Sequence, residues 1–223
     1  MEIKVCGACN AAELAALSEA GASHVGMIFI NGHQRHVGMS PSLSGLLPDN
    51  ACGNLGGNAQ SDAGPVRVGV FANEMAQNVI AHTYNYGIGM VQFDGNEQPN
   101  YIENLRRTIV PDIRSRLLVC KTIQVSGSSD LAKCTRYADC VDFFQFNFTI
   151  HKSGETYLQQ MLSTLDSYVG NVPYWVGGNL SAEAAKAIMS ADRNLCYGID
   201  LSSLYLSNTG GCTTFNLQEF IGK

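Results

Sequence analysis

The sequence predicts one domain folded as an eight-stranded (β/α)8 barrel. Short, β-branched apolar runs recur eight times, and most of them are followed by a helical pattern. Strands that alternate with helices imply parallel pairing and right-handed crossovers. At 223 residues with 45% hydrophobic content, the chain has the length of one such barrel and is short for two domains. Eight units favour a closed barrel over an open doubly wound sheet, which commonly has five or six strands.

The first unit is the clearest. Ile3–Cys6 is a short apolar run, and Asn10 with Glu13 forms a capping box that opens a helix over Ala11–Ala20, ended by Gly21. The eight predicted strands are Ile3–Cys6, Val25–Phe29, Val66–Phe71, Met90–Phe93, Leu117–Ile123, Phe143–Phe146, Tyr174–Val176 and Tyr197–Leu201. The predicted helices are Ala11–Ala20, a weak one near Ser42–Leu47, Glu74–Tyr84, Asn100–Arg107, Ser129–Tyr137, Tyr157–Val169, Ala182–Ala191 and Thr214–Ile221.

One segment interrupts this rhythm. Asp49–Gly64 is rich in glycine and asparagine and poor in apolar residues, so we expect a flexible insert within the single domain 1–223. It precedes the third strand, on the amino-terminal side of the barrel, where loops rarely carry chemistry. We therefore assign it no function.

Composition excludes several classes of function. The net charge of −5 and the lack of a basic cluster argue against nucleic-acid binding. No run approaches 18 apolar residues and no signal peptide is visible, so we expect no membrane association. Disulfide-bonded secreted domains with eight cysteines are usually far shorter than this chain, so we expect free thiols and a cytoplasmic location.

Six short motifs, in order along the chain, resemble the phosphoribosylanthranilate isomerase family. They are Lys4-Val-Cys6-Gly7, Gly26-Met-Ile-Phe29, Gln34-Arg35-His36-Val37, Val68-Gly-Val-Phe71, Val91-Gln92-Phe-Asp94-Gly95 and Gly198-Ile-Asp200-Leu-Ser-Ser203. The resemblance implies a TIM barrel and the Amadori rearrangement of phosphoribosylanthranilate in tryptophan biosynthesis. It implies a small phosphorylated substrate and neither a metal nor an organic cofactor. The oligomeric state, monomer or homodimer, stays open.

The resemblance also implies roles for individual residues. The family uses the cysteine of its K-x-C-G motif as the base that removes the proton from C2 of the ribose, and that position is Cys6. Lys4 lies two residues earlier on the same strand face, about 6.6 Å away, and we expect its charge to favour the thiolate. Arg35 matches the family arginine that meets the anthranilate carboxylate, and a guanidinium fork suits that planar group. Lys4 and Gln92 are further candidates for substrate binding, and Gln92 matches an inward-facing family residue.

Phosphate is expected to bind at the loops after strands seven and eight, the usual phosphate site of such barrels. The first loop carries Gly177 and Gly178, followed by Ser181 as a helix cap. The second carries Ser202 and Ser203.

The chain departs from the family pattern at the acid that protonates the ring oxygen. The family has an aspartate at the end of strand six, where this sequence has Asn147, and a carboxamide delivers no proton near neutral pH. Gln145 replaces an apolar residue on the same strand face. The loops that follow are altered too, at His151–Leu158 and Leu204–Leu206.

These departures leave three hypotheses. The chain is an active isomerase, or it is an impaired relative that binds a phosphorylated ligand or partner without isomerising it. Asp94 stands where the family has a histidine. In an active isomerase it is a candidate for a relocated acid, and the alternative is that Asp94 only caps a loop at the rim of the barrel. Cys6-Gly-Ala-Cys9 is a C-x-x-C pair, which suggests a thiol–disulfide oxidoreductase as the third class.

Overall fold

The alternating pattern forms a closed ring of eight parallel strands in which each strand pairs with its neighbours along the chain and β1 pairs with β8. The structure is a computed structural model, and it describes residues 1–38, 64–149, 155–191 and 193–208. The predicted (β/α)8 barrel is confirmed. Its strands are β1 (Glu2–Cys6), β2 (His24–Ile28), β3 (Val66–Phe71), β4 (Met90–Phe93), β5 (Leu118–Val125), β6 (Phe143–Phe148), β7 (Tyr174–Gly178) and β8 (Cys196–Asp200).

Helices cover the outside of the ring. They are α1 (Ala11–Glu19), α2 (Ala76–Asn85), α3 (Pro99–Ile109), α4 (Glu155–Asp166), α5 (Ala182–Ser190) and α6 (Ser202–Asn208), with a 3₁₀ helix over Ser128–Arg136 between β5 and β6. The predicted caps form: the Asn10 side chain accepts from the Glu13 N–H at the start of α1, and the Ser181 side chain accepts from the Ala184 N–H at the start of α5. Each cap satisfies an N–H group that lacks a partner within its own helix.

Several predicted boundaries are wrong. The helix predicted over Ser129–Tyr137 is a 3₁₀ helix, in which Asp130 accepts from the N–H groups of Ser126 and Gly127. Such local side-chain bonds compete with the α-helical pattern. β6 and β7 each run two residues further than predicted, to Phe148 and Gly178, and α6 is a helix that the sequence pattern did not predict. The helices predicted near Ser42–Leu47 and at Thr214–Ile221 lie outside the described residues, as does the insert 49–64 apart from Gly64.

Strand alternation separates the two faces of the ring. On β6, Phe144 and Phe146 point outward, and the Phe146 ring lies 5.2 Å from the ring of Tyr168 between barrel and helices. Phe143 and Gln145 alternate with them and point into the barrel. The apolar interior is one buried cluster that comprises Cys6, Ile28, Val68, Val70, Met90, Cys120, Phe143 and Trp175. This filling closes the middle of the ring, so the open space lies at its mouth.

Gly26 on β2 gives the Cys6 side chain its room. A Cβ atom built on Gly26 would lie 2.2 Å from Cys6 Sγ and 2.8 Å from Cys6 Cβ. Because β1 and β2 are locked together by the register Cys6–Gly26, neither strand can move away alone. A side chain at position 26 would therefore displace the thiol.

We predict that Gly26→Ala lowers the free energy of unfolding by about 1–3 kcal/mol because it overpacks the wall at Cys6. Gly127→Ala is the matched control, since its Cβ would meet no atom within 4 Å and its backbone is extended, and it should shift stability by less than about 0.5 kcal/mol. Urea denaturation measures both. Equal midpoints for the two variants would contradict the packing assigned to Gly26.

Candidate active site

A cavity of about 260 Å³ opens at the carboxyl ends of the strands. Seven residues predicted for the site line it: Cys6, Gln92, Asp94, Asn147, Gly178, Ser202 and Ser203. Three other predicted residues, Lys4, Arg35 and Gly177, do not line it. The carboxyl ends of barrel strands are the usual place for an active site in this fold.

Lys4 forms the base of the site instead of lining the cavity. Its ammonium group is fully buried, lies 3.2 Å from a carboxylate oxygen of Asp200, and donates to the side-chain oxygens of Gln92 (2.5 Å) and Gln145 (2.7 Å). Burial lowers the pKa of this amine, but Asp200, together with Cys6, Cys120 and Asp94, raises it above the ordinary value for lysine. The ammonium is therefore charged and has all three of its protons engaged by protein groups. This corrects the prediction that Lys4 contacts the substrate.

The Cys6 thiol is buried at the cavity wall and is held in its protonated form. Burial raises its pKa to about 12, and the nearby Asp200 carboxylate acts in the same direction. Lys4 and the Ser202 side chain lower the pKa, as the sequence suggested for Lys4, but by less. Lys4 thus lowers the pKa of the Cys6 thiol, as expected. Its effect is too small to make the thiolate the main form, because Asp200 lies beside the same ammonium group.

Ser202 connects Cys6 to Asp200. Its hydroxyl accepts from the Cys6 N–H at 2.7 Å and donates to the Asp200 carboxylate, which also accepts from the Ser202 N–H at 2.9 Å. The start of α6 is thereby tied to the end of β1. The neighbouring Ser203 hydroxyl is also buried at the cavity and has no hydrogen-bond partner among the described residues. Ser203 is therefore the hydroxyl here that is free to bind a ligand.

Gly177 has a packing role that the sequence analysis missed. A Cβ there would lie 2.2 Å from Gln145 Nε2 and 2.9 Å from Asp200 Cβ, so the absence of a side chain makes room for the acceptors of Lys4. Gly178 differs from it. Gly178 lines the cavity with a φ of +95°, a conformation that favours glycine. Both glycines are the last residues of β7 and not part of the following loop.

Arg35 is already paired with a carboxylate of the protein. Its guanidinium donates to the carbonyl of Gly7 (2.8 Å) and to the Glu13 carboxylate, which also accepts from the Cys9 N–H (3.0 Å). These contacts fasten the segment after β2 to the segment after β1. Geometry therefore does not support the prediction that Arg35 lies at the cavity as a carboxylate clamp, since Glu13 occupies the group that was expected to meet the ligand.

Asn147 and Cys6 face the same cavity, as the barrel topology predicted. The Asn147 amide donates to the Gln124 side chain at 3.1 Å, and its oxygen lies close to Gly178. Asp94 lies on the same mouth, where its Oδ1 accepts from Gln92 Nε2 (2.9 Å) and from the Thr122 hydroxyl. The cavity therefore contains a carboxyl group despite the amide at position 147.

Three residues of the site were missed by the sequence analysis. Asp200 was given no role of its own there, although its alternation with Gly198 on the last strand marks it as inward. Thr122 could have been found by the same alternation on β5. His33, whose Nδ1 accepts from the Arg35 N–H (3.1 Å), lines the cavity from an irregular segment and left no periodic signal.

With this geometry in place, comparison with known proteins identifies the family. The family model for N-(5'-phosphoribosyl)anthranilate (PRA) isomerase matches residues 57–210, more than half of the chain. The chain belongs to the phosphoribosylanthranilate isomerase family. This confirms the resemblance drawn from the six motifs.

Individual relatives agree. The chain is 26% identical over 203 residues to N-(5'-phosphoribosyl)anthranilate isomerase of Phocaeicola vulgatus, covering 91% of this chain and 87% of the relative. It is 25% identical over 221 residues to the protein of the same name from Parabacteroides distasonis, covering 99% and 92%. Among solved structures, phosphoribosyl anthranilate isomerase from Thermotoga maritima superposes with a TM-score of 0.68 at 21% identity, covering 99% of this chain and 97% of that one, which supports the shared fold.

The expectation of no membrane association and the oxidoreductase hypothesis can both be compared with the structure. Among the described residues, no helix is long and apolar enough to cross a membrane. The C-x-x-C cysteines Cys6 and Cys9 are both free thiols, and the closed barrel does not support the oxidoreductase hypothesis, which conflicts with an eight-unit layout.

We predict that Lys4→Met lowers the free energy of unfolding by about 3–5 kcal/mol, because it leaves the Asp200 carboxylate buried without its cation. Lys133→Met is the control, since Lys133 pairs with Asp130 at the surface and should lose about 1 kcal/mol or less. Chemical denaturation compares them. Similar losses in both variants would show that the buried pair is not the constraint described here.

We predict that alkylation of Cys6 by iodoacetamide accelerates about tenfold per pH unit from pH 7 to 9 and does not level off by pH 10, since only the thiolate reacts and its pKa lies near 12. Peptide mass spectrometry measures the labelling of Cys6. The unfolded chain is the internal control, because the same cysteine there should level off near its reference pKa of about 8.5. A plateau below pH 9 in the folded protein would contradict the pKa direction.

Proposed function

We propose that this protein catalyses the Amadori rearrangement of N-(5'-phosphoribosyl)anthranilate, with Cys6 as the base that takes the proton from C2 of the ribose. The observation that carries the proposal is the position of Cys6: a thiol at the end of β1, at the wall of a cavity formed by the strand ends of a family-matched barrel. Family membership supports an isomerase over a relative that only binds its ligand.

Cys6 acts as a base only as the thiolate, so its own proton must first pass to solvent. The thiolate then accepts the proton from C2 of the bound substrate, and the thiol is formed again. The Lys4 ammonium, buried at the base of the cavity, stabilises the negative charge of the Cys6 thiolate. Lys4 is thus proposed as a positioning residue and not as a substrate ligand.

The phosphate is proposed to bind at the rim near β7 and β8. Gly178 and Ser203 line the cavity there, and the Ser203 hydroxyl is free to donate. The hydroxyl of Ser202 is committed to Asp200, so Ser202 would contribute by its place at the start of α6. Arg35 stays the predicted partner of the anthranilate carboxylate, and it would reach that group only by exchanging the Glu13 carboxylate for it.

Several expectations remain part of the proposal. A single domain over residues 1–223 is inferred from the barrel, and the six described cysteines are all free, which supports a reducing compartment such as the cytoplasm. The substrate is a small phosphorylated molecule. Whether the active form is a monomer or a homodimer stays open, although the Thermotoga maritima relative is described as dimeric.

We predict that Cys6→Ser reduces kcat/KM by about 10²–10⁴-fold, because a hydroxyl is far less acidic than a thiol and the anion that takes the proton is almost absent. Substrate generated in the cuvette from phosphoribosyl pyrophosphate and anthranilate allows the turnover to be measured directly. Cys9→Ser is the matched control and should retain activity, since the Cys9 sulfur donates to the carbonyls of Gly7 and Arg35 and does not line the cavity.

Complementation of a tryptophan auxotroph that lacks this isomerase is the test in cells. The unaltered chain should restore growth and Cys6→Ser should not. Failure of the unaltered, folded protein both in the cuvette and in cells would reject catalysis and favour the ligand-binding alternative.

A further inference from the structure

We propose that Asp94 delivers the proton that opens the ribose ring, in place of the aspartate whose position Asn147 occupies. This inference rests on the proposed function, and it assigns the acid that Asn147 cannot supply. In the step, the Asp94 carboxylic acid gives its proton to the ring oxygen while the bond from that oxygen to C1 breaks. The anthranilate nitrogen supplies the electron pair to C1, and Asp94 is left as a carboxylate.

Two carboxyl groups line the cavity among the residues that the structure describes, and only one of them is suited to be an acid. Asp200 has both oxygens engaged, one by the Lys4 ammonium (3.2 Å) and the other by the N–H and hydroxyl of Ser202. Neither oxygen of Asp200 is therefore free to carry a proton to a ligand.

Asp94 is arranged differently. Its Oδ1 accepts two hydrogen bonds, one from Gln92 Nε2 and one from the Thr122 hydroxyl. Within the described parts of the chain, its Oδ2 accepts no hydrogen bond, so this oxygen can carry the proton. Two donors on Oδ1 also fix the carboxyl plane.

The backbone on both sides of Asp94 is held as well. The Lys121 ammonium donates to the carbonyl of Phe93 at 2.9 Å and to that of Gly95 at 2.7 Å, the two residues that flank Asp94. Lys121 in turn lies 3.6 Å from the Glu97 carboxylate, and both side chains are less than 5% exposed. This buried clamp lies outside the barrel wall, and nothing in the rearrangement itself requires it. It fixes the position of the residue at 94.

To act as the acid, Asp94 must carry a proton in the complex with the substrate. The substrate brings a carboxylate and a phosphate into the cavity and displaces water from it, and both changes disfavour a second negative charge nearby. Binding and proton uptake are therefore expected to occur together.

Proton uptake can be measured without turnover. The probe is reduced 1-(o-carboxyphenylamino)-1-deoxyribulose 5-phosphate, the compound bound in a solved relative. Titration calorimetry in two buffers with different ionisation enthalpies counts the protons taken up. We expect Asp94→Asn to take up about one proton fewer than the unaltered protein. Asp112→Asn is the matched control, since Asp112 is exposed and does not line the cavity, and it should behave like the unaltered protein.

Turnover provides the second readout. Asp94→Asn should lower kcat by about 10²–10⁴-fold. Adding Asn147→Asp to that variant restores an acid at the position the family uses. The double variant should have a kcat at least about tenfold higher than that of Asp94→Asn. A circular dichroism spectrum and melting curve show whether each variant is folded, and the recovery by the double variant does not depend on the single variant being fully stable.

The outcomes separate this inference from the proposed function. Full activity or unchanged proton uptake in folded Asp94→Asn would overturn the role of Asp94 while leaving catalysis by Cys6 intact. If the unaltered protein binds the probe without turning over substrate, the proposed catalysis fails, and the role of Asp94 as the acid fails with it. Activity that appears only after Asn147→Asp in the unaltered background would also overturn the inference.

Discussion

The Lys4 ammonium is the constraint on which the site depends. A full positive charge inside a barrel filled with apolar side chains is stable only if its protons are all accepted. Asp200, Gln92 and Gln145 meet that requirement from three different strands. The same three residues line the cavity. The hydrogen bonds that satisfy the buried ammonium therefore also fix the side chains that a ligand would contact.

This constraint spreads outward from the ammonium in two directions. Through Asp200 it reaches Ser202 and the N–H of Cys6, which ties the base to the loop after β8. Through Gln92 it reaches Asp94 and Thr122 on the opposite side. The base and the proposed acid are therefore two ends of one hydrogen-bonded network. Gly177 and Gly26 lack side chains where the network and the thiol need space.

The sequence predicted the barrel well because its evidence is local and repeated. β-branched runs, caps such as Asn10 and the alternation of faces are decided within a few residues, and the strand positions followed. Contacts between site residues on different strands of the barrel were harder to predict. Alternation shows that Lys4 and Asp200 face inward, but not that they meet, because that depends on the stagger of strands at the two ends of the chain. Arg35 was placed at the cavity from its motif, whereas its partner Glu13 lies on a helix whose surface pattern gives no sign of the pair.

A crystal structure with reduced 1-(o-carboxyphenylamino)-1-deoxyribulose 5-phosphate is the most direct measurement of whether one network supports both proton transfers. The account predicts C2 of the ligand against the Cys6 sulfur, and the oxygen derived from the sugar ring within hydrogen-bond distance of the Asp94 Oδ2. A ligand whose C2 lies away from Cys6, or whose ring-derived oxygen contacts Asn147 and not Asp94, would contradict it.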